Sequence, residues 1–122
     1  MTDLIQLGKQ AKSASSQLAL LETSRKNDLL EKMATALEEH ITVILEANEK
    51  DLARAADYGI SDTMQDRLRL TNQRIMDMSA GIRQIATLPD PIGEVDKMWN
   101  TVDGLMIGQQ RVPLGVIGII YE

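Results

Sequence analysis

The chain has 122 residues, with 13 Lys and Arg against 18 Asp and Glu for a formal net charge of −5, and it contains neither Cys nor Phe. That length allows one modest domain with a core. The acidic balance disfavours nucleic acid as a partner, because polyanion binding requires surplus Lys and Arg to displace counterions. Without cysteine there is no disulfide, no thiolate metal site and no thiol nucleophile in these residues. The start, Met1-Thr2-Asp3-Leu4-Ile5, lacks the basic and apolar regions of a secretory leader. Residues 116–120 form the longest apolar run, far short of the roughly 20 residues that span a bilayer. These features predict a cytoplasmic protein with no membrane and no nucleic-acid partner.

Helical periodicity governs the first part of the chain. Leu4, Leu7, Ala11, Ala14, Leu18 and Leu21 recur at steps of three and four, a narrow apolar stripe that Thr2 or Asp3 could cap. Thr23 or Ser24 is the next candidate cap, followed by Leu30, Met33, Leu37, Ile41, Ile44 and Leu45 at the same spacing. Leu52, Ala55 and Ala56 carry the pattern to Tyr58-Gly59. About 35 residues is long for one globular helix, so a break is expected near Glu38-Glu39-His40 or near Asn48. Gly59 suits a helix terminus because it accepts the left-handed backbone. Asp62 with Gln65 reads as a capping-box pair for a short helix through Arg67. Thr71 caps another helix, with Ile75, Met78, Ile82 and Ile85 on its buried face. Pro89-Asp90-Pro91 ends the helical region.

Composition then shifts: residues 89–122 hold all three Pro and five of the eight Gly. Residues 99–102 and Leu105-Met106-Ile107 flank Asp103-Gly104, a hairpin turn signal. The final run, Val112-Pro113-Leu114-Gly115-Val116-Ile117-Gly118-Ile119-Ile120-Tyr121-Glu122, is almost wholly apolar and β-branched, as in a strand buried on both faces of a parallel sheet. Such a strand needs neighbours on its edges and cover on its faces, which one hairpin and the preceding helices do not supply. The expectation is therefore the front end of a longer protein.

Three stretches together resemble one family. Asp66-Arg67-Leu68-Arg69-Leu70-Thr71, Leu88-Pro89-Asp90-Pro91-Ile92-Gly93 and the run from Arg111-Val112-Pro113-Leu114-Gly115 to Tyr121-Glu122 are similar to gamma-glutamyl phosphate reductases, also called glutamate-5-semialdehyde dehydrogenases, of the aldehyde dehydrogenase superfamily. Ala47-Asn48-Glu49-Lys50-Asp51 belongs to the same resemblance, which spans essentially the whole chain. It implies the second reductive step of proline biosynthesis. In that step a cysteine thiolate attacks gamma-glutamyl phosphate, phosphate leaves, and NADPH delivers hydride to the thioester.

The implied fold is mainly α over residues 1–88, then a β-hairpin and one strand, as the N-terminal part of an α/β aldehyde-dehydrogenase-like fold. Residues 1–91 would be the helical N-terminal region of the cofactor-binding domain. Residues 92–112 would be a hairpin used in oligomerisation, making the enzyme a homo-oligomer. Residues 113–122 would be the first strand of the cofactor sheet. In the superfamily the carboxyl end of this strand lines the dinucleotide site, consistent with ligands at the carboxyl ends of parallel strands. Ile120, Tyr121 and Glu122 are thus the candidate residues for NADP, with the small molecule gamma-glutamyl phosphate as substrate. No catalytic residue and no metal ligand is assigned in this chain, and without a thiol the chain alone is expected to be inactive.

Other polar residues read as structural. His40 beside Glu38 and Glu39 has no recognisable partner for general base work. Glu38, Glu39, Glu46, Glu49 and Asp51 lack the spacing of a cation loop and suit a solvated helix face. Gly115-Val116-Ile117-Gly118 lacks a phosphate-loop pattern, so close packing is the expectation for its glycines. Arg67, Arg69, Arg74 and Arg83 are expected to pair with Asp62, Asp66 and Asp77 rather than bind an acidic substrate. Met33, Met64, Met76 and Met78 are expected to fill core gaps. Trp99 is either an interface anchor or a half-buried strand residue. Two other readings remain open: a free-standing helical interaction module docking through residues 4–21, and a superfamily member acting on a different aldehyde or acyl phosphate.

Overall fold

The computed structural model describes residues 3–55 and 57–120; Met1, Thr2, Ala56, Tyr121 and Glu122 lie outside them. The elements run α1 (Leu4–Leu18), α2 (Thr23–Glu39), α3 (Ile41–Arg54), α4 (Asp62–Leu68), α5 (Asn72–Ala86), β1 (Val95–Asn100) and β2 (Met106–Gln110). Two compact units result, residues 24–88 and residues 1–23 with 89–122.

Residues 24–88 form a helical unit whose boundaries follow local chemistry. The predicted break falls at His40, which sits at φ −105° and ψ 15° between α2 and α3. The hydrogen-bond ladder nevertheless runs through it, from His40 N–H to Ala36 O and from Ile44 N–H to His40 O. Gly59 stands at φ +65°, where a side chain would be strained, and Ile60 N–H returns to Ala55 O to close the end of α3. The cap of α4 is Ser61 rather than Asp62: its Oγ accepts from Met64 N–H, while Asp62 lies within the first turn. Gln65 still reaches back, donating from Nε2 to Ile60 O at 3.0 Å. Thr71 caps α5 as expected, accepting from Arg74 N–H.

The apolar core of this unit is small, consisting of Ala34, Ala55 and Ile75 among the described residues. On α5 only part of the expected face is buried. Ile75 is 1% exposed, but Met78 and Ile85 face outward, and Ser79 at 0% takes the position four residues on from Ile75. Met33, Met64 and Met76 are exposed as well, so they fill no core gap within this chain. Too few layers cover these helices for all of their apolar residues to be enclosed.

Polar ties make up for the thin core. Asn48 on α3, 6% exposed, donates from Nδ2 to Leu68 O at 2.9 Å and accepts from Leu70 N–H at 2.8 Å. It thereby satisfies backbone groups of the α4–α5 connection that no helix could satisfy. Arg74 adds hydrogen bonds to the carbonyls of Asp66 and Arg69 and an ion pair to Asp66 at 3.5 Å. Between α2 and α5, Ser79 Oγ donates to Glu38 Oε1, and Arg83 donates to both carboxylate oxygens of Glu38. Arg83 also donates to Ser79 Oγ at 2.7 Å and to Glu31 Oε2 at 3.1 Å.

In the second unit, Asp3 caps α1 by accepting from Ile5 and Gln6 N–H, yet α1 buries none of its residues. Thr23 Oγ1 donates to Asp90 Oδ2 at 2.9 Å, and Asp90 Oδ1 accepts from Ile92 N–H. β1 and β2 pair antiparallel, with Trp99 opposite Ile107, Met98 opposite Gly108 and an irregularity between Val95 and Lys97. Gly104 N–H donates to Thr101 O and Gly104 lies at φ +83°, while Thr101 N–H donates to Leu105 O. This is a three-residue loop ending in a left-handed glycine, one residue longer than the tightest hairpin turn. Arg111 N–H donates to Glu94 O and Arg111 O accepts from Gly93 N–H at the open end.

Of the run 113–122 expected as a strand, residues 121 and 122 lie outside the described residues, and residues 111–120 carry no strand or helix. A strand exists only as one side of a hydrogen-bonded ladder, and the described residues offer this run no neighbour.

Three outcomes are expected for the helical unit. Asn48→Ala leaves the Leu70 N–H and Leu68 carbonyl unpaired and is expected to cost about 1–3 kcal/mol, read as a lower urea midpoint; Ser61→Ala should cost more than Asp62→Ala, because Ser61 is the cap. Hydrogen bonds from Arg83 and then Ser79, opposed by burial, hold Glu38 down from 4.5 to about 2. Its contribution is therefore complete above pH 4.5 and fades as pH falls toward 2. Urea midpoints at pH 7 and pH 3 should show Glu38→Gln losing less stability on acidification than the unmodified chain, and parallel losses would contradict the assignment.

Candidate functional site

The residues proposed to border a dinucleotide lie at the end of the apolar run. Ile120 is 96% exposed and belongs to no sheet, whereas Tyr121 and Glu122 lie outside the described residues. Ile120 has no charged or hydroxylic group of its own, so alone it could offer a cofactor only backbone and apolar contact. Within the described residues nothing encloses a dinucleotide at this position. Gly115 stands at φ +86° with nothing within 4 Å of a would-be Cβ, and Gly118 is equally open. Close packing therefore does not explain these glycines here; backbone freedom explains Gly115.

Of the polar side chains weighed above, His40, Glu38, Arg74 and Arg83 are engaged structurally, and the expected ion pairs of Arg67 and Arg69 are not among those formed by the described residues. His40 is exposed at a helix junction, its Nδ1 2.8 Å from Ala36 O. Among the described residues no three His, Asp or Glu converge in a way that could hold a metal ion. Arg74 meets Asp66 as expected, but Asp77 accepts from Gln73 Nε2 instead, and Arg83 reaches α2. Arg83, pushed further up by Glu38 and by Glu31, has its guanidinium occupied by two carboxylates and a hydroxyl. Glu38, held near 2, stays ionised at neutral pH and is no general acid. The cluster went unread in the sequence, although Ile75, Ser79 and Arg83 at steps of four share one face of α5.

Much apolar surface is exposed as well. Val95, Met98, Trp99, Met106 and Ile107 of the hairpin all reach solvent, and so do Leu4, Ile5, Leu7 and Leu18 of α1 and much of residues 112–120. Trp99 is 43% exposed, with Lys97 Nζ 5.4 Å from its ring centre. No helix of the described residues is long and apolar enough to cross a membrane.

No family model matches the chain. A curated relative, the gamma-glutamyl phosphate reductase of Enterococcus faecalis, is 67% identical over 122 residues, which is 100% of this chain and 29% of that protein. The gamma-glutamyl phosphate reductase of Carboxydothermus hydrogenoformans is 52% identical over the same 100% of the chain and 29% of its own length. The crystal structure of gamma-glutamyl phosphate reductase from Thermotoga maritima superposes with a TM-score of 0.84 at 36% identity, covering 92% of this chain and 27% of that one. The Saccharomyces cerevisiae enzyme gives 0.80 at 33% identity, covering 93% and 29%. In sequence along its whole length and in fold along nearly all of it, the chain is a homologue of gamma-glutamyl phosphate reductases, and it spans 29% of the curated relatives it matches.

Proposed function

We propose that this chain is the N-terminal part of a gamma-glutamyl phosphate reductase, an oxidoreductase of proline biosynthesis that uses NADPH to convert gamma-glutamyl phosphate to glutamate 5-semialdehyde and phosphate. The observation that carries this reading is the 67% identity with the Enterococcus faecalis reductase along all 122 residues. Agreement in fold with two solved reductases supports it independently.

On this reading residues 1–91 form the helical region of the cofactor-binding domain, residues 92–112 an element of homo-oligomer assembly, and residues 113–122 the first strand of the cofactor sheet. Ile120, Tyr121 and Glu122 would then border NADP at the carboxyl end of that strand. The setting is cytoplasmic and the substrate a small molecule. The bare apolar run favours this division, since it has the composition of a sheet strand and finds no sheet among the described residues. The chain's own role is scaffolding. With no cysteine among its residues, it cannot furnish the thiolate that attack on an acyl phosphate requires. The described residues do not by themselves fit a dinucleotide, so no chemical step is assigned to them.

A chimera tests the reading. Replacing the matching segment of the Enterococcus faecalis reductase with these 122 residues should leave reductase activity within about tenfold of the parent, a change of ~1.4 kcal/mol in transition-state stabilisation. A folded but inactive chimera would contradict it. The purified chain alone should show no NADP-dependent oxidation of glutamate 5-semialdehyde, and measurable turnover would refute the scaffolding role.

A further inference from the structure

Asp103 stands apart from the other acidic residues of 89–111. Asp90 accepts from Thr23 Oγ1 and from Ile92 N–H, and Arg111 pairs with Asp96 at 2.8 Å and with Glu94 at 3.7 Å. The Asp103 carboxylate has no such partner among the described residues. Of all the aspartates in the chain, Asp103 alone is followed by glycine. Elsewhere the next residue carries a side chain that crowds the backbone nitrogen following the aspartate. Gly104 has none, so its nitrogen can close on the Asp103 carboxyl carbon into a five-membered ring with least hindrance. In the closed loop that nitrogen is occupied. Gly104 N–H donates to Thr101 O at 3.0 Å, Leu105 N–H donates to Thr101 Oγ1 at 3.1 Å, and Thr101 N–H donates to Leu105 O at 2.8 Å. Ring closure needs the Gly104 nitrogen released from Thr101 O, so reaction starts from the opened loop, a local opening of low free energy.

We propose that Asp103-Gly104 is a covalent modification site at which aspartate converts spontaneously to isoaspartate, with the hydrogen bonds of the loop setting the rate. In the first step the Gly104 nitrogen bonds to Asp103 Cγ. The proton of that nitrogen and one from solvent leave with a carboxyl oxygen as water, and a five-membered imide results. Water then adds back and breaks one of the two carbon–nitrogen bonds. When the original bond to the Asp103 carbonyl carbon breaks, the chain runs through Cβ and Cγ, and the former main-chain carbonyl becomes a free carboxylate. Water is the only co-reactant, nothing is oxidised or reduced, and the mass is unchanged. The product adds one methylene to the backbone of a loop closed by three bonds to Thr101. Gly104 N–H then no longer meets Thr101 O, and the register set at the Thr101–Leu105 pair is lost. The modification therefore marks loops that have opened, and it keeps them open.

Prolonged warm incubation of the full chain at neutral pH, followed by peptide mapping with electron-transfer fragmentation, tests this. Isoaspartate should accumulate at Asp103 before any other aspartate. Thr101→Val removes the acceptor of Leu105 N–H and should speed conversion in the folded chain about threefold, the effect of one lost hydrogen bond. In urea, where the loop is already open, the same substitution should leave the rate unchanged. Gly104→Ala supplies the missing side chain and should slow conversion in urea by about tenfold. Two results would overturn the proposal: no isoaspartate at Asp103 of the folded chain long after the urea-unfolded chain has converted, or equal folded-state rates for Thr101→Val and the unmodified chain. No reductase activity enters the readout, so the result is independent of the chimera.

Discussion

Every backbone N–H and C=O withdrawn from water must find a partner, and helices and strands meet that demand differently. A helix satisfies its interior from within and leaves only its ends to be closed, whereas a strand depends wholly on its neighbours. The two units divide along this line. In residues 24–88 the open ends are closed locally by Ser61, Thr71 and the return from Ile60 to Ala55, and the α4–α5 connection is closed by Asn48 and Arg74. In residues 89–120 the ladder begins at the Thr101–Leu105 pair, ends at Arg111, and leaves the following run without a sheet.

That difference also explains how a helical unit with so little apolar interior is tied together. Ala34, Ala55 and Ile75 bury small areas, and area is what hydrophobic stabilisation scales with. Arg83 and Glu38 join α2 to α5 through a two-point contact with a fixed geometry, and Ser79 places a hydroxyl beneath it. Both charged groups keep partial contact with water, so the attraction is moderated by solvent while the directional bonds still set how α5 meets α2. No side-chain polar atom buried among the described residues lacks a partner.

Features carried by residues close in sequence were legible in advance. The cap at Asp3, the junction at His40, the reversal at Gly59, the cap at Thr71 and the Asp103-Gly104 turn each depend on a few adjacent residues. Features that depend on distant partners were not. Ser61 and Asp62 are both good capping residues, and only the realised backbone separates them. Asn48, a candidate helix break in the sequence, instead lies within α3 and meets Leu68 and Leu70, and Ser79 meets Glu38 from a distant part of the chain. Residues 113–122 have the composition of a sheet strand, but composition does not provide the sheet. The candidate site at Ile120 inherits that limit, since its position depends on pairing that the described residues do not contain.

The distribution of chemistry over the surface then indicates how such a chain can contribute to an enzyme. Its better-placed ionisable groups are engaged: Glu38 and Arg83 with each other, Arg74 with Asp66 and two carbonyls, Arg111 with Glu94 and Asp96. A carboxylate held near 2 by a guanidinium gives up proton transfer near neutrality in exchange for a fixed position. The exposed apolar residues of the hairpin, of α1 and of residues 112–120 are in the opposite condition, ordered or extended but uncovered. Exposed apolar surface on this scale marks contact with other protein. The similarity to reductases and the physical state of the surface agree with the scaffolding role proposed above, in which these residues present strands and helix faces.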